Sequence, residues 1–127
     1  MNAKDFNFSL GHLAIWHEKA SDAKRAADTL INTFGFNVEE LSYAYHINDN
    51  QFEILKEPGR GAKGHFSILC DDVVAAKKYL EEEKGVAFDE KTAHYTEDGI
   101  LWKIFARDEI SGFAWHLALR GRASNGH

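Results

Sequence analysis

Gly64-His65-Phe66-Ser67-Ile68-Leu69-Cys70 is the stretch of sequence that decides the fold, because a similar stretch occurs near the N-terminus. The earlier copy reads Gly11-His12-Leu13-Ala14-Ile15-Trp16. Both copies place a His directly after a Gly and then alternate apolar with small residues, which is typical of a strand. Each copy is followed by an amphipathic segment that ends at a Gly, and then by three more strand-like stretches. The sequence therefore contains an internal repeat.

The repeat predicts an α+β fold made of two βαβββ units, which together form a curved sheet of eight strands with the helices on its outer face. The units cover about residues 8–55 and 64–120, and residues 56–63 form a linker rich in Gly. A chain of 127 residues is too short for two ordinary domains. We therefore expect one domain, spanning 1–127, in which both units share a core.

The helix boundaries follow from capping residues. Ser21 or Asp22 is the predicted N-cap of the first helix, and Asp71 or Asp72 that of the second. The glycines that follow the two helical segments predict their C-terminal ends. Strands are predicted at 36–41, 43–47 and 51–55 in the first unit, and at 86–96, 100–106 and 112–119 in the second.

Composition excludes several classes of protein. The net charge is −5, and no block of Lys or Arg is long enough to follow a nucleic-acid backbone. No apolar stretch approaches the roughly 20 residues of a membrane span, and the first residues lack the apolar core of a signal peptide. Cys70 is the only cysteine, so no internal disulfide forms. We expect a cytoplasmic protein with neither a nucleic-acid nor a membrane partner.

Strand alternation places four polar residues on the face opposite the helices. His12 and His65 lie on the opening strands of the two units, and Glu53 and His116 lie on the closing strands. Since these strands would line one concave sheet, the four side chains are predicted to converge. Three imidazoles and one carboxylate are ordinary ligands of Zn²⁺, Ni²⁺, Fe²⁺, Co²⁺ or Mn²⁺, so we predict a divalent transition metal of unknown identity.

A purely structural interpretation stays open beside the metal site. A single His on a half-buried strand is more often a hydrogen-bonded core residue than a ligand, and Glu53 alone would more often pair with a Lys. Five further residues are candidates for the same cavity, with Tyr45 and His94 also considered as proton-transfer bases: His46, His94, Tyr43, Tyr45 and Trp102. His17 and His127 are predicted to be exposed to solvent. Cys70 faces the helices, which is a poor position for a nucleophile.

The duplicated unit, with His, Glu and His plus a fourth ligand position, resembles the vicinal oxygen chelate superfamily, which includes glyoxalase I, methylmalonyl-CoA epimerase and extradiol dioxygenases. Three stretches, at 64–68, 79–85 and 108–117, look most like a narrower group. This group comprises small domains fused to 2-keto-3-deoxy-6-phosphogluconate/4-hydroxy-2-oxoglutarate aldolases in some bacteria. The aldolase activity of those proteins belongs to a separate barrel that this chain is too short to contain.

The resemblance implies that the metal ligands are His12, Glu53, His65 and His116. His116 departs from the superfamily, which usually has a carboxylate at this position. With one anionic ligand the site would keep a net positive charge and favour a small anionic metabolite.

Three functions follow from these observations and from the resemblance. The first is a glyoxalase-like metal-dependent lyase or isomerase that acts on a small hydroxy- or keto-acid with vicinal oxygens. The second is a non-catalytic ligand-binding or regulatory module associated with sugar-acid aldolase metabolism, and the third is a structural role. Open sheet edges also predict a homodimer.

Overall fold

The structure, a computed structural model, describes residues 2–122 of the chain. It contains one open sheet of eight strands and two helices on one face of that sheet. The strands are β1 (Ser9–Ile15), β2 (Val38–Glu40), β3 (Ala44–Ile47), β4 (Phe52–Leu55), β5 (Gly64–Cys70), β6 (His94–Tyr95), β7 (Leu101–Phe105) and β8 (Phe113–Leu119). The helices are α1 (Ala20–Phe34) and α2 (Val73–Lys84), and two short 3₁₀ turns cover Ala3–Phe6 and Glu90–Thr92.

The strand order is β2-β3-β4-β1-β5-β8-β7-β6, so the opening strands of the two units lie next to each other in the middle of the sheet. β1 and β5 pair antiparallel and join the two halves. Within each half the opening strand pairs in parallel with the closing strand, β1 with β4 and β5 with β8. The predicted fold of two βαβββ units is confirmed, whereas the extent of the domain stays a prediction.

The helix ends are set by local hydrogen bonds. The carboxylate of Asp72 accepts a hydrogen bond of 3.0 Å from the backbone N–H of Ala75, so the predicted cap of α2 is confirmed. The predicted cap of α1 is wrong, because this helix begins at Ala20 and Lys19 precedes it without a side-chain capping bond. Asp22 lies in the first turn instead, where its negative charge stabilises the helix by interacting with the positive end of the helix dipole.

Each helix covers its own apolar cluster on the same face of the sheet. Under α1, the fully buried members are Ala23, Ala27, Ile47 and Ile54. Under α2, the buried members are Phe6, Cys70, Val73, Ala76, Phe88, Leu101, Ile104, Ala106 and Leu117. The opposite face of the sheet is thereby left for polar side chains. None of the helices within residues 2–122 combines the length and apolarity that a membrane span requires.

Two predicted strands are much shorter in the structure, whereas the other four with stated bounds differ by one residue at one or both ends. The stretch 36–41 is a strand only at Val38–Glu40, and the stretch 86–96 is a strand only at His94–Tyr95. In the second stretch Asp89 accepts a hydrogen bond from the backbone N–H of Lys91, at 3.2 Å, and so caps a 3₁₀ turn. Because the residues of this turn hydrogen-bond locally, they do not form strand hydrogen bonds within the sheet.

Candidate metal centre

Three histidines lie side by side in the middle of the sheet. His12 is on β1, His65 on β5 and His116 on β8, which are three adjacent strands. On β8 the neighbouring Leu117 belongs to the cluster under α2, so strand alternation directs His116 to the opposite face. The three rings therefore share the face that the helices leave uncovered.

A β-bulge in β1 brings His12 level with His116. Gly11 and His12 together oppose the single residue Ser67 of β5, where the register of the two strands shifts. On the other side of β5, Ser67 pairs with His116. His12 and His116 thus flank Ser67 across the central strand. Strict alternation along the sequence placed His12 on the correct face but did not show the bulge.

The three imidazoles are close enough to bind one ion. One ring nitrogen from each of His12, His65 and His116 lies within 4.8 Å of the others. The Nε2 atoms of His12 and His65 are 3.3 Å apart. His12 is 1% exposed, His65 9% and His116 0%, so solvent reaches the group only at His65.

His116 is held as a neutral ring with a free nitrogen lone pair. Its Nδ1 donates a hydrogen bond of 3.2 Å to the carbonyl oxygen of Leu117, which fixes the proton on Nδ1. Its Nε2 is buried and has no hydrogen-bond partner in the described part of the chain. Burial holds the pKa of His116 well below its ordinary value of 6.5, and the positive charge of Lys103 lowers this pKa further. A buried imidazole in this state is a ready metal ligand.

The histidine group fits a divalent transition metal. Two nitrogens that bind one zinc ion tetrahedrally lie about 3.4 Å apart, which matches the spacing between His12 and His65. A hydrogen bond between the two rings, as the structural interpretation requires, is compatible with the same spacing. That interpretation does not account for Nε2 of His116, because it leaves a buried acceptor unused.

Glu53 lies on the same face but in the next row of side chains. Its β4 position pairs with Ala14 of β1, and Ala14 pairs with His65 of β5, so one small residue separates Glu53 from His65. Glu53 is 4% exposed as a residue, and its carboxylate is 3.1 Å from Nε2 of His46. Glu53 does not belong to the group of three histidines. Its role as a fourth ligand stays a prediction.

The remaining predicted residues take different positions. Tyr45 packs into the cluster under α1, on the other side of the sheet, so its assignment to the cavity and to proton transfer is wrong. His94 is exposed on β6. His17 is half-buried rather than exposed, and its Nδ1 donates a hydrogen bond of 3.1 Å to the carbonyl oxygen of Leu55. His127 lies outside the described residues.

Two aromatic candidates remain near the polar face. The rings of Tyr43 and His46 form an edge contact with centroids 6.2 Å apart. Burial raises the pKa of Tyr43, and the charge of Glu53 raises it further. The ring of Trp102 lies 5.6 Å from that of His94, near the edge of the sheet.

Sequence reasoning missed Phe105, which forms one wall of the histidine group. Phe105 pairs with His116 across β7 and β8. Its ring centroid is 4.8 Å from that of His116 and 5.3 Å from that of His65. Strand alternation within β7 was a usable signal for this wall, because it separates Phe105 from Ile104 in the core. Phe105 excludes water from one side of the site.

Comparisons with known proteins show the fold. Neither a protein-family model nor a curated protein matches the sequence. Among solved structures, a methylmalonyl-CoA epimerase is similar with a TM-score of 0.57 and 15% identity, over 87% of this chain and 93% of the epimerase. Homoprotocatechuate 2,3-dioxygenase from Arthrobacter globiformis is similar with a TM-score of 0.58 and 15% identity, over 87% of this chain and 35% of the dioxygenase.

A mutant of 4-hydroxymandelate synthase from Streptomyces coelicolor is similar with a TM-score of 0.58 and 18% identity, over 93% of this chain. The chain spans about half of that synthase, 51%, and about a third of the dioxygenase. The similar structures belong to the vicinal oxygen chelate superfamily, and the open sheet of eight strands with two helices on one face matches that fold. At these identities the likeness defines the fold and leaves function to be argued from the site.

Proposed function

We propose that this protein binds one divalent transition metal ion through His12, His65 and His116, and that it is a lyase or isomerase acting on a small hydroxy- or keto-acid with vicinal oxygens. The observation that carries the proposal is Nε2 of His116, a buried nitrogen without a hydrogen-bond partner among the described residues. The ring that bears it lies 5.5 Å from that of His12 and 5.6 Å from that of His65, between centroids. When bound, the ion would supply a Lewis acid for negative charge that develops on two neighbouring substrate oxygens.

The protein's own residues define the rest of this chemistry. Leu117 holds the tautomer of His116, and Phe105 shields two of the three rings from water. Glu53 is a fourth ligand in the proposal, with a carboxylate that would exchange its contact with His46 for the ion. The names of the similar structures, an epimerase, a dioxygenase and a synthase, support an enzymatic role for this fold.

One observation favours a non-catalytic alternative. His12 and His116 are almost completely buried, so a small molecule has access to the group only beside His65. A metal-holding or ligand-binding module, such as the regulatory module that the resemblance to aldolase-associated domains implies, needs no wider opening. Turnover of any keto- or hydroxy-acid by the metal-loaded protein would exclude this alternative.

Metal content tests the proposal directly. Untagged protein would be incubated with Zn²⁺, Ni²⁺, Mn²⁺ or Fe²⁺ under reducing conditions, desalted and measured by elemental analysis, beside His116→Ala and the control His94→Ala. We expect close to one ion per chain in the parent and in the His94 variant, and far less than one in the His116 variant, because it lacks one of the three nitrogens. A parent protein that retains none of these ions would refute the metal site.

A further inference from the structure

Lys103 is a cation on the same face of the sheet as the three histidines. It lies on β7 and pairs with Ala118 of β8. Ala118 is two residues beyond His116 on the same strand, so the two side chains share a face. The small side chain of Ala118 leaves space for the longer chain of Lys103.

The ammonium group of Lys103 lies near the histidine group. Nζ of Lys103 is 5.9 Å from the ring centroid of Phe105, the same ring that contacts His116 and His65. Its charge lowers the pKa of both His116 and His94. Burial lowers the pKa of Lys103 itself, and the negative charge of Glu53 partly opposes this effect.

Lys103 makes no ion pair within 4.0 Å in the part of the chain that the structure describes. Arg60 provides the contrast. The guanidinium of Arg60 also lies over the ring of Phe105, at 4.7 Å, but it is paired with the carboxylate of Asp89 at 3.1 Å. A half-buried ammonium without a carboxylate partner is costly unless a ligand supplies one. Of the two cations at Phe105, Lys103 is the one available to a ligand.

We propose that Lys103 binds the carboxylate of the substrate beside the metal, so that the site takes small carboxylic acids and discriminates against molecules that have the same vicinal oxygens but no carboxylate. This inference rests on the proposed function, because it assigns one end of the substrate at the same site. Lys103 is a specificity-determining residue in this arrangement. The carboxylate pairs with its ammonium, and the adjoining hydroxyl or keto oxygen faces the histidines.

Binding of two probes to Co²⁺-loaded protein tests this assignment. Oxalate carries carboxylates on its vicinal oxygens, whereas acetohydroxamic acid chelates the ion through vicinal oxygens without a carboxylate. The variants are Lys103→Met, Lys103→Arg and the matched control Lys78→Met on the exposed side of α2. Visible spectra of the bound Co²⁺ report metal loading, and calorimetry reports the affinity of each probe.

We expect Lys103→Met to load Co²⁺ normally, to bind oxalate about tenfold more weakly and to bind acetohydroxamic acid as the parent does. Lys103→Arg retains most of the oxalate affinity, and Lys78→Met retains all of it. Equal oxalate affinity in Lys103→Met and the parent would overturn the role of Lys103 while leaving the metal site intact. An equal loss for both probes would also overturn it. Failure of the parent to load Co²⁺ would refute the proposed function and, with it, this subsite.

Discussion

Gly64 passes so close to Ala14 that a Cβ atom on Gly64 would lie 2.0 Å from the carbonyl oxygen of Ala14. Gly64 also has a φ of +136°, a conformation that essentially only glycine adopts. It begins β5 directly before His65 and lies where β5 pairs with β1. The pairing of β1 with β5, which joins the two halves of the sheet, therefore depends on the absence of a side chain at Gly64.

Replacing Gly64 by Ala is expected to destabilise the protein by about 3 kcal/mol or more, because the added Cβ meets backbone that has no room to move. Gly99→Ala is the matched control, since Gly99 has a φ of +81° but nothing within 4 Å of an added Cβ. We expect that control to cost about 1 kcal/mol. Urea unfolding of both variants measures the difference, and equal midpoints would contradict the role given to Gly64.

Exchanging Glu53 for Gln tests the fourth-ligand prediction. A carboxylate ligand contributes charge to the site, so Glu53→Gln is expected to weaken metal affinity by about tenfold or more. His46→Gln removes the partner of Glu53 without touching the predicted ligands, and we expect it to leave metal affinity within about threefold of the parent. Calorimetric titration with Zn²⁺ compares the two. If Glu53→Gln binds the ion as tightly as the parent, only the three histidines hold it.

Removing the metal is expected to lower the stability of the parent more than that of a variant that lacks a metal ligand. An ion at a hundred times its dissociation constant stabilises the folded state by about 2.7 kcal/mol if the unfolded chain does not bind it. The melting temperature of the parent should therefore fall when a chelator is added. In His116→Ala the chelator should have a smaller effect, because one of the three nitrogens is missing. A chelator effect of the same size in both proteins would indicate that the ion binds elsewhere.

The thiol of Cys70 is expected to be unreactive in the folded protein. Burial under α2 raises the pKa of Cys70 from its ordinary value of 9.0 to about 11. At pH 8 this lowers the fraction of reactive thiolate about a hundredfold relative to the unfolded chain. Since this is the only cysteine, the rate of labelling with a thiol reagent, compared between buffer and denaturant, measures the reactivity of Cys70 alone. Equal labelling rates would contradict the buried position.

The same shift predicts the direction of the pH dependence. The folded state favours the protonated thiol, so the contribution of Cys70 to the free energy of unfolding is full below pH 9 and declines as the pH rises towards 11. Cys70→Ala should lose less stability than the parent over this interval. Denaturant unfolding at a series of alkaline pH values gives the comparison.

Much of the fold and the positions of the three histidines were predictable from the sequence, because the internal repeat identified equivalent strands in the two units. Two Gly-His pairs at equivalent places identified the opening strands, and alternation along the closing strand identified the face of His116. Contacts that depend on register between strands were not predictable in this way. The pairing of His46 with Glu53 is set by how β3 lies beside β4, which a pattern within one strand does not contain.

Irregular features account for the other differences. The bulge at Gly11 and His12 adds one residue to β1, and no alternation pattern distinguishes such an insertion from an ordinary strand. The side chain of Asp89 replaces ladder bonds with a 3₁₀ turn, which shortened the predicted strand at 86–96. Nothing in the sequence distinguishes Lys103 from an ordinary solvated lysine, whereas its position beside Phe105 does.

The three histidines are spread along most of the chain and come from both halves of the sheet. His12 and His65 are separated by 53 positions, and His116 comes from the last strand. Contacts between such distant residues form late in folding, because long loops must close first. The three ligands would thus be brought together only after β1 and β5 have joined. Fraying of the short edge strands β2 and β6 would leave these ligands in place, whereas separation of the two halves of the sheet would dismantle the site.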